Sequence, residues 1–187
     1  MGRIIIGTLV GTVLLFMLQG LMWEGGIHKD MWQYSTKQDS MFEQIKSYGL
    51  PEGLYVFPAV DPAMGHTKEK EMYMKGVGKP WAMLFYHPSM HGEDMHILVM
   101  GILHALIACL LACMVIYYGR FSSFGSRFLT GLSFGLFTIV QGVMPNLNWW
   151  GFPWSFIRPQ VVDLTLIWGI CCIWFAIYVK RKEPKGA

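Results

Sequence analysis

The residue types best suited to chemistry gather in one short stretch. His87, Met90, His91, Met95, His96 and Met100 place imidazole nitrogens and thioether sulfurs around the point where a polar segment gives way to a long apolar run. Imidazole and thioether ligands together suit copper, and thioethers select Cu(I). On a helix starting near Met95, the pairs Met95–Met100 and His96–Met100 share roughly one face. That pattern points to an extracytoplasmic copper-binding or copper-delivery protein. Abundance argues the other way. The chain carries 14 methionines in 187 residues, so such clusters arise by chance, and the plainer reading is a rim that docks on lipid or on a partner.

A second set is defined by depth. Gln19, His104, Gln141 and Asp163 all fall in the outer halves or at the outer ends of apolar runs. Polar groups are costly in hydrocarbon and normally face a bundle interior or water. Together they suggest an intramembrane polar layer, in which His104 and Asp163 would form a proton relay if their helices touch. A small membrane enzyme or carrier would use such a relay. The structural alternative bonds Asp163 to the Trp-rich loop or to Arg158, and the glutamines between helices.

Other chemistries find less support. A membrane haem needs two axial ligands at matched depth, and only His104 lies well inside a span, so haem held by this chain alone is not expected. Cys109, Cys113, Cys171 and Cys172 all fall in apolar runs, where a thiolate is disfavoured and a thiol packs as a small apolar residue. Glu93 and Asp94 are adjacent but sit at the polar boundary. No nucleophile with its base, no phosphate-cradling loop and no zinc motif occurs, so no catalytic residue is assigned.

The elements that must position these residues follow from hydropathy. With 53% hydrophobic and only 14% charged residues, the chain carries far less charge than the roughly 25% of a soluble domain. Four apolar runs match a hydrocarbon core of roughly 30 Å: residues 4–23, 96–118, 128–144 and 161–179. The first reads as a retained anchor rather than a signal peptide, because it is long and no A-x-A-like site follows. Gly7/Gly11 and Gly131/Gly135 each form a G-x-x-x-G face that admits a close helix. The aromatic stretch Pro145 to Trp154 reads as a wet connection at the headgroup level.

Residues 24–94 form the one sizeable polar region. Asp39 or Ser40 caps a helix ended by Gly49 and Pro51, and Thr67 caps another closed by Gly76. Residues 53–57 and 81–86 read as strands. The order strand, helix, strand permits a right-handed βαβ unit with its two strands side by side. So small a domain has a thin core and is expected to rest on the spans or on a partner.

Orientation comes from basic residues near the span ends. Arg3, Arg120, Arg127, Lys180, Arg181, Lys182 and Lys185 fall on one side, and the short loop on the other side has only Arg158. The positive-inside rule then puts both termini in the cytoplasm and residues 24–94 outside. The net charge of +3, with no basic tract facing water, argues against a nucleic-acid partner.

Three stretches carry a family likeness. They are Ile5-Ile6-Gly7-Thr8-Leu9-Val10-Gly11 with Phe16 and Trp23, then Tyr86-His87-Pro88, then Asn146-Leu147-Asn148-Trp149-Trp150-Gly151-Phe152 with Asp163. In these the chain resembles a group of small bacterial inner-membrane proteins with four spans. The resemblance implies four spans and a bacterial envelope, and it brings no activity with it.

The expectation is an all-α polytopic membrane protein, a four-helix transmembrane bundle with a small α+β extracytoplasmic domain between spans 1 and 2. Its expected role is that of a non-catalytic accessory subunit of a larger inner-membrane complex, of respiratory or membrane-oxidase kind. Lipid and other membrane subunits are the expected partners, and copper is the cofactor to test for.

Overall fold

The computed structural model describes residues 1–90, 92 and 95–181. His91, Glu93, Asp94, Lys182 and Lys185 lie outside the described residues. The chain divides into two compact units, residues 1–33 with 94–187, and residues 34–93.

The first unit is built from four helices long and apolar enough to cross a membrane: α1 (Gly2–Glu24), α4 (Met95–Tyr118), α5 (Phe124–Asn148) and α6 (Trp154–Tyr178). At 1.5 Å per residue the shortest spans about 35 Å. In a bilayer a helix keeps every backbone bond within itself, which is why these apolar runs have no alternative to helix.

The two glycine faces bring the helices together. A Cβ at Gly7 would stand 2.6 Å from Val179 Cγ2 and 3.2 Å from Cys113 Sγ, and one at Gly11 would overlap the Phe175 ring. Gly131 and Gly135 do the same for α5 against α6, where a Cβ would meet Cys172 Sγ at 3.0 Å and the Leu164 carbonyl oxygen at 2.6 Å. Bare glycine backbone also becomes an acceptor. Trp168 Nε1 donates to the Gly131 carbonyl at 2.9 Å, and Trp174 Nε1 to the Gly7 carbonyl at 3.1 Å. Both faces are thus consumed within the chain.

The core at these crossings is made of small and aromatic side chains together. Cys109, Cys113, Cys171, Cys172 and Phe175 are fully buried beside Ile116, Trp168 and Val179. All four thiols are free. Near the end of the bundle where Arg3 meets Lys180, the buried Arg127 donates to the carbonyls of Ala176, Phe121 and Ser122 at 2.8–3.0 Å. It pins the α4–α5 loop to the end of α6.

The third and fourth helices run further than hydropathy suggests. Pro145 does not stop α5, which continues to Asn148, so the aromatic connection shrinks to residues 149–153. The reason is a π turn at Ile139–Val143. It breaks the i→i−4 register just before the proline, so the missing N–H falls where a regular bond is already lost. A second π turn, Asp163–Ile167, follows Pro159 in α6. There Thr165 Oγ1 donates to the Val161 carbonyl at 2.8 Å. Each π turn packs on the other helix.

The second unit contains α2 (Gln38–Ser47), β1 (Gly53–Phe57), α3 (His66–Gly76) and β2 (Ala82–Tyr86). Lys37 and Gly65 stand at the N-caps, and neither helix has a side-chain cap. The strands are antiparallel, in register from Gly53↔Tyr86 to Phe57↔Ala82. This corrects the parallel βαβ expectation. Parallel sheets survive where both faces are covered, whereas an antiparallel pair tolerates exposed faces. Here no described side chain of the unit is buried.

Candidate functional site

The site forms where the chain leaves α1. Gly25 N–H bonds back to the Leu21 carbonyl, and Gly26 adopts φ +81°, which only glycine takes without strain. The chain then turns over the helix ends, with Lys29 N–H on the Gly26 carbonyl and Met31 N–H on the His28 carbonyl. This turn buries His28 and Met31 with the spans. The second compact unit accordingly begins at Tyr34, and residues 25–33, assigned by composition to the polar domain, belong to the bundle unit.

His28 is 4% exposed, and its Nε2 lies 3.2 Å from Asp163 Oδ2. The imidazole is held flat against Trp23, with centroids 4.4 Å apart and planes 6° from parallel, and Trp32 flanks the same indole. Asp163 opens the π turn of α6, which sets its carboxylate towards the α1 exit. Two polar atoms of this pair, His28 Nδ1 and Asp163 Oδ1, are buried with no hydrogen-bond partner among the described residues. Buried polar atoms are nearly always satisfied, so the pair keeps one unused position on each side. An exposed ion pair, Arg158 Nη2 to Asp30 Oδ2 at 3.5 Å, links the same turn to α6.

Such a pair can hold or pass a proton, since imidazole and carboxylate share one hydrogen bond and each retains a second site. It also corrects the structural alternative drawn from sequence. Asp163 pairs with His28, while Arg158 lies against Asp30.

The remaining members of the polar layer are placed differently. Gln19 is half-buried on α1, whereas His104 on α4 and Gln141 in the π turn of α5 are exposed. The histidine beside Asp163 is His28. Sequence reading missed His28 because Lys29 and Asp30 beside it look like ordinary solvated loop. One signal could have found it. A carboxylate inside a span needs a partner at its own depth, and His28 is the histidine nearest in sequence to the C-terminal end of α1.

The histidine and methionine set is divided between the two units. In the second unit His87 Nδ1 lies 3.0 Å from Glu52 Oε1 at the open end of the strand pair, and Met90 is fully exposed. In the bundle unit Met95 and His96 are exposed on the first turn of α4, with Met100 half-buried. Among the described residues, no three histidine, cysteine, aspartate or glutamate side chains converge as a metal-ligand set. The four cysteines serve as core, with Cys171 Sγ 3.9 Å from the Gly11 carbonyl.

No protein-family model, curated protein or solved structure matches the chain.

Proposed function

We propose that this protein is a non-catalytic accessory subunit of a larger bacterial inner-membrane assembly, of respiratory or membrane-oxidase kind. In this reading residues 34–93 lie outside the cytoplasm and both termini lie within it. One observation carries it: no described side chain of the external unit is buried, although the unit presents Met41, Phe42, Leu54, Phe57, Trp81 and Phe85 to its surroundings. A unit of this size without a core does not hold its fold alone, and a protein partner would supply the missing cover. His104, a polar side chain exposed within a span, supports the same conclusion, because such residues normally face another helix. The glycine faces are not part of the argument, since the bundle uses both itself. Extraction in mild detergent followed by a native gel tests the reading. The chain should comigrate with larger proteins, and migration as a lone monomer or dimer overturns it.

A second reading is favoured by the His28–Asp163 pair with its two unused buried atoms. In it the chain is a small membrane enzyme or carrier that moves a proton at this level. Unchanged activity or transport of the host complex with Asp163→Asn and His28→Gln variants would end that reading.

A further inference from the structure

The opposite end of the bundle holds a cavity that the accessory role does not use. It has a volume of about 470 Å³ and is walled by Arg3, Ile6, Tyr117, Tyr178, Lys180 and Arg181, with the backbone of Gly2 alongside. That size lies within the roughly 300–1,000 Å³ usual for small-ligand sites. Its charge is one-sided. The described carboxylates of this unit are Glu24, Asp30 and Asp163, all towards the other end of the spans. Three cations therefore face one cavity, and among the described residues no acid stands beside them.

The walls are held in place. Arg3 Nη1 donates to the carbonyls of Lys180 at 3.0 Å and Tyr178 at 3.4 Å. A guanidinium has five N–H groups, so further donors remain for a ligand. Tyr178 stacks on Trp174 at 4.8 Å, and Trp174 is itself tied to Gly7. Tyr117 is fixed edge-on against Tyr118. The two phenols belong to residues lining the same space and can donate to an anion.

We propose that this cavity binds the phosphate of an anionic phospholipid headgroup. Arg3 would form the paired N–H contacts that match phosphate oxygens, Lys180 and Arg181 would add charge, and the tyrosines would bond the remaining oxygens. The lipid is preferred to a soluble anion because of where the cavity lies. It opens at the end of the spans beside the exposed apolar side chain of Ile6, which offers an acyl chain a surface to follow. Basic pockets between helices at a membrane surface are a recurrent means of holding such headgroups.

The test uses the full chain in mild detergent and in phosphatidylcholine vesicles. Native mass spectrometry with added phosphatidylglycerol should show one retained lipid, and vesicles containing phosphatidylglycerol should raise the melting temperature. The double variant Lys180→Gln/Arg181→Gln leaves the Arg3 contacts to backbone intact, and it should weaken retention roughly 30-fold, about fivefold per charge. Arg120→Gln removes an exposed charge outside the cavity and should leave retention unchanged. Equal loss with Arg120→Gln would reduce the effect to diffuse surface charge and overturn the site. Melting raised as much by inorganic phosphate in pure phosphatidylcholine would assign the cavity to a soluble anion instead. No lipid retained by the native chain would also refute the proposal.

Discussion

His28 Nε2 lies 3.2 Å from Asp163 Oδ2, joining the turn that follows the first span to the π turn in the last. Residues 135 positions apart thereby close the bundle at one end. The pair tests what the buried polar atoms contribute. Removing one partner leaves the other buried and unsatisfied, whereas replacing both by apolar groups relieves that cost. Asp163→Leu and His28→Leu should each destabilise the bundle by about 1–3 kcal/mol. His28→Leu/Asp163→Leu should lose clearly less than the sum. Unfolding in mixed micelles, read as a double-mutant cycle, checks this. Strict additivity would mean that the two side chains do not interact.

The glycine faces predict a position-specific response. Gly11→Leu drives a side chain into the Phe175 ring, and Gly135→Leu into Trp168 and the Leu164 carbonyl. Each should cost about 1–3 kcal/mol through forced separation of the helices. A Cβ at Gly20 or Gly169 meets nothing within 4 Å, so Gly20→Leu and Gly169→Leu should be near neutral. Detergent melting temperatures of the four variants separate a packing effect from one of general hydrophobicity.

Arg127 holds three carbonyls from a buried position. Arg127→Met should cost about 3 kcal/mol, in line with the loss of hydrogen bonds from a charged donor. Arg127→Lys should recover only part of this, because an ammonium does not reproduce the planar fork. The readout is the unfolding midpoint together with protease access at the α4–α5 loop. Full rescue by lysine would make the residue a simple charge.

Much of this architecture is visible in the amino-acid order, and the gaps have physical causes. The spans stand out because hydrocarbon demands long apolar runs, and Asp163 stands out because a carboxylate there is expensive. His28 does not, since its burial depends on the left-handed Gly26 and on a turn written in polar residues. The strands at 53–57 and 82–86 are legible as strands, but their direction depends on whether both faces are covered, which residue types alone do not express. Pro145 reads as a stop unless the preceding π turn is known, and hydropathy carries no signal for a π turn.

The divided histidine and methionine set leads to a prediction on metal. His87 is engaged by Glu52, and the other described members lie in different units. If the rim docks rather than binds, Cu(I) loading of purified protein should leave copper at background by elemental analysis. Stoichiometric copper that is lost on replacing His87, His91 and His96 by alanine would restore the copper-delivery reading.

The unit of residues 34–93 gives the most direct test of the accessory role. Trp81 and Phe85 are 55% and 61% exposed at the second strand, among side chains that form no core of their own. Aromatic residues are the usual anchors of an interface, and truncating one costs about 2 kcal/mol or more. Trp81→Arg and Phe85→Arg should therefore weaken association roughly 30-fold or more, moving the chain from the high-mass band of a native gel to a small one. The melting temperature of the bundle should stay unchanged, because both residues lie in the other compact unit. If the band persists with both variants, this face is not the one the partner covers. The next surface to challenge is then the exposed side of α4 that carries His104.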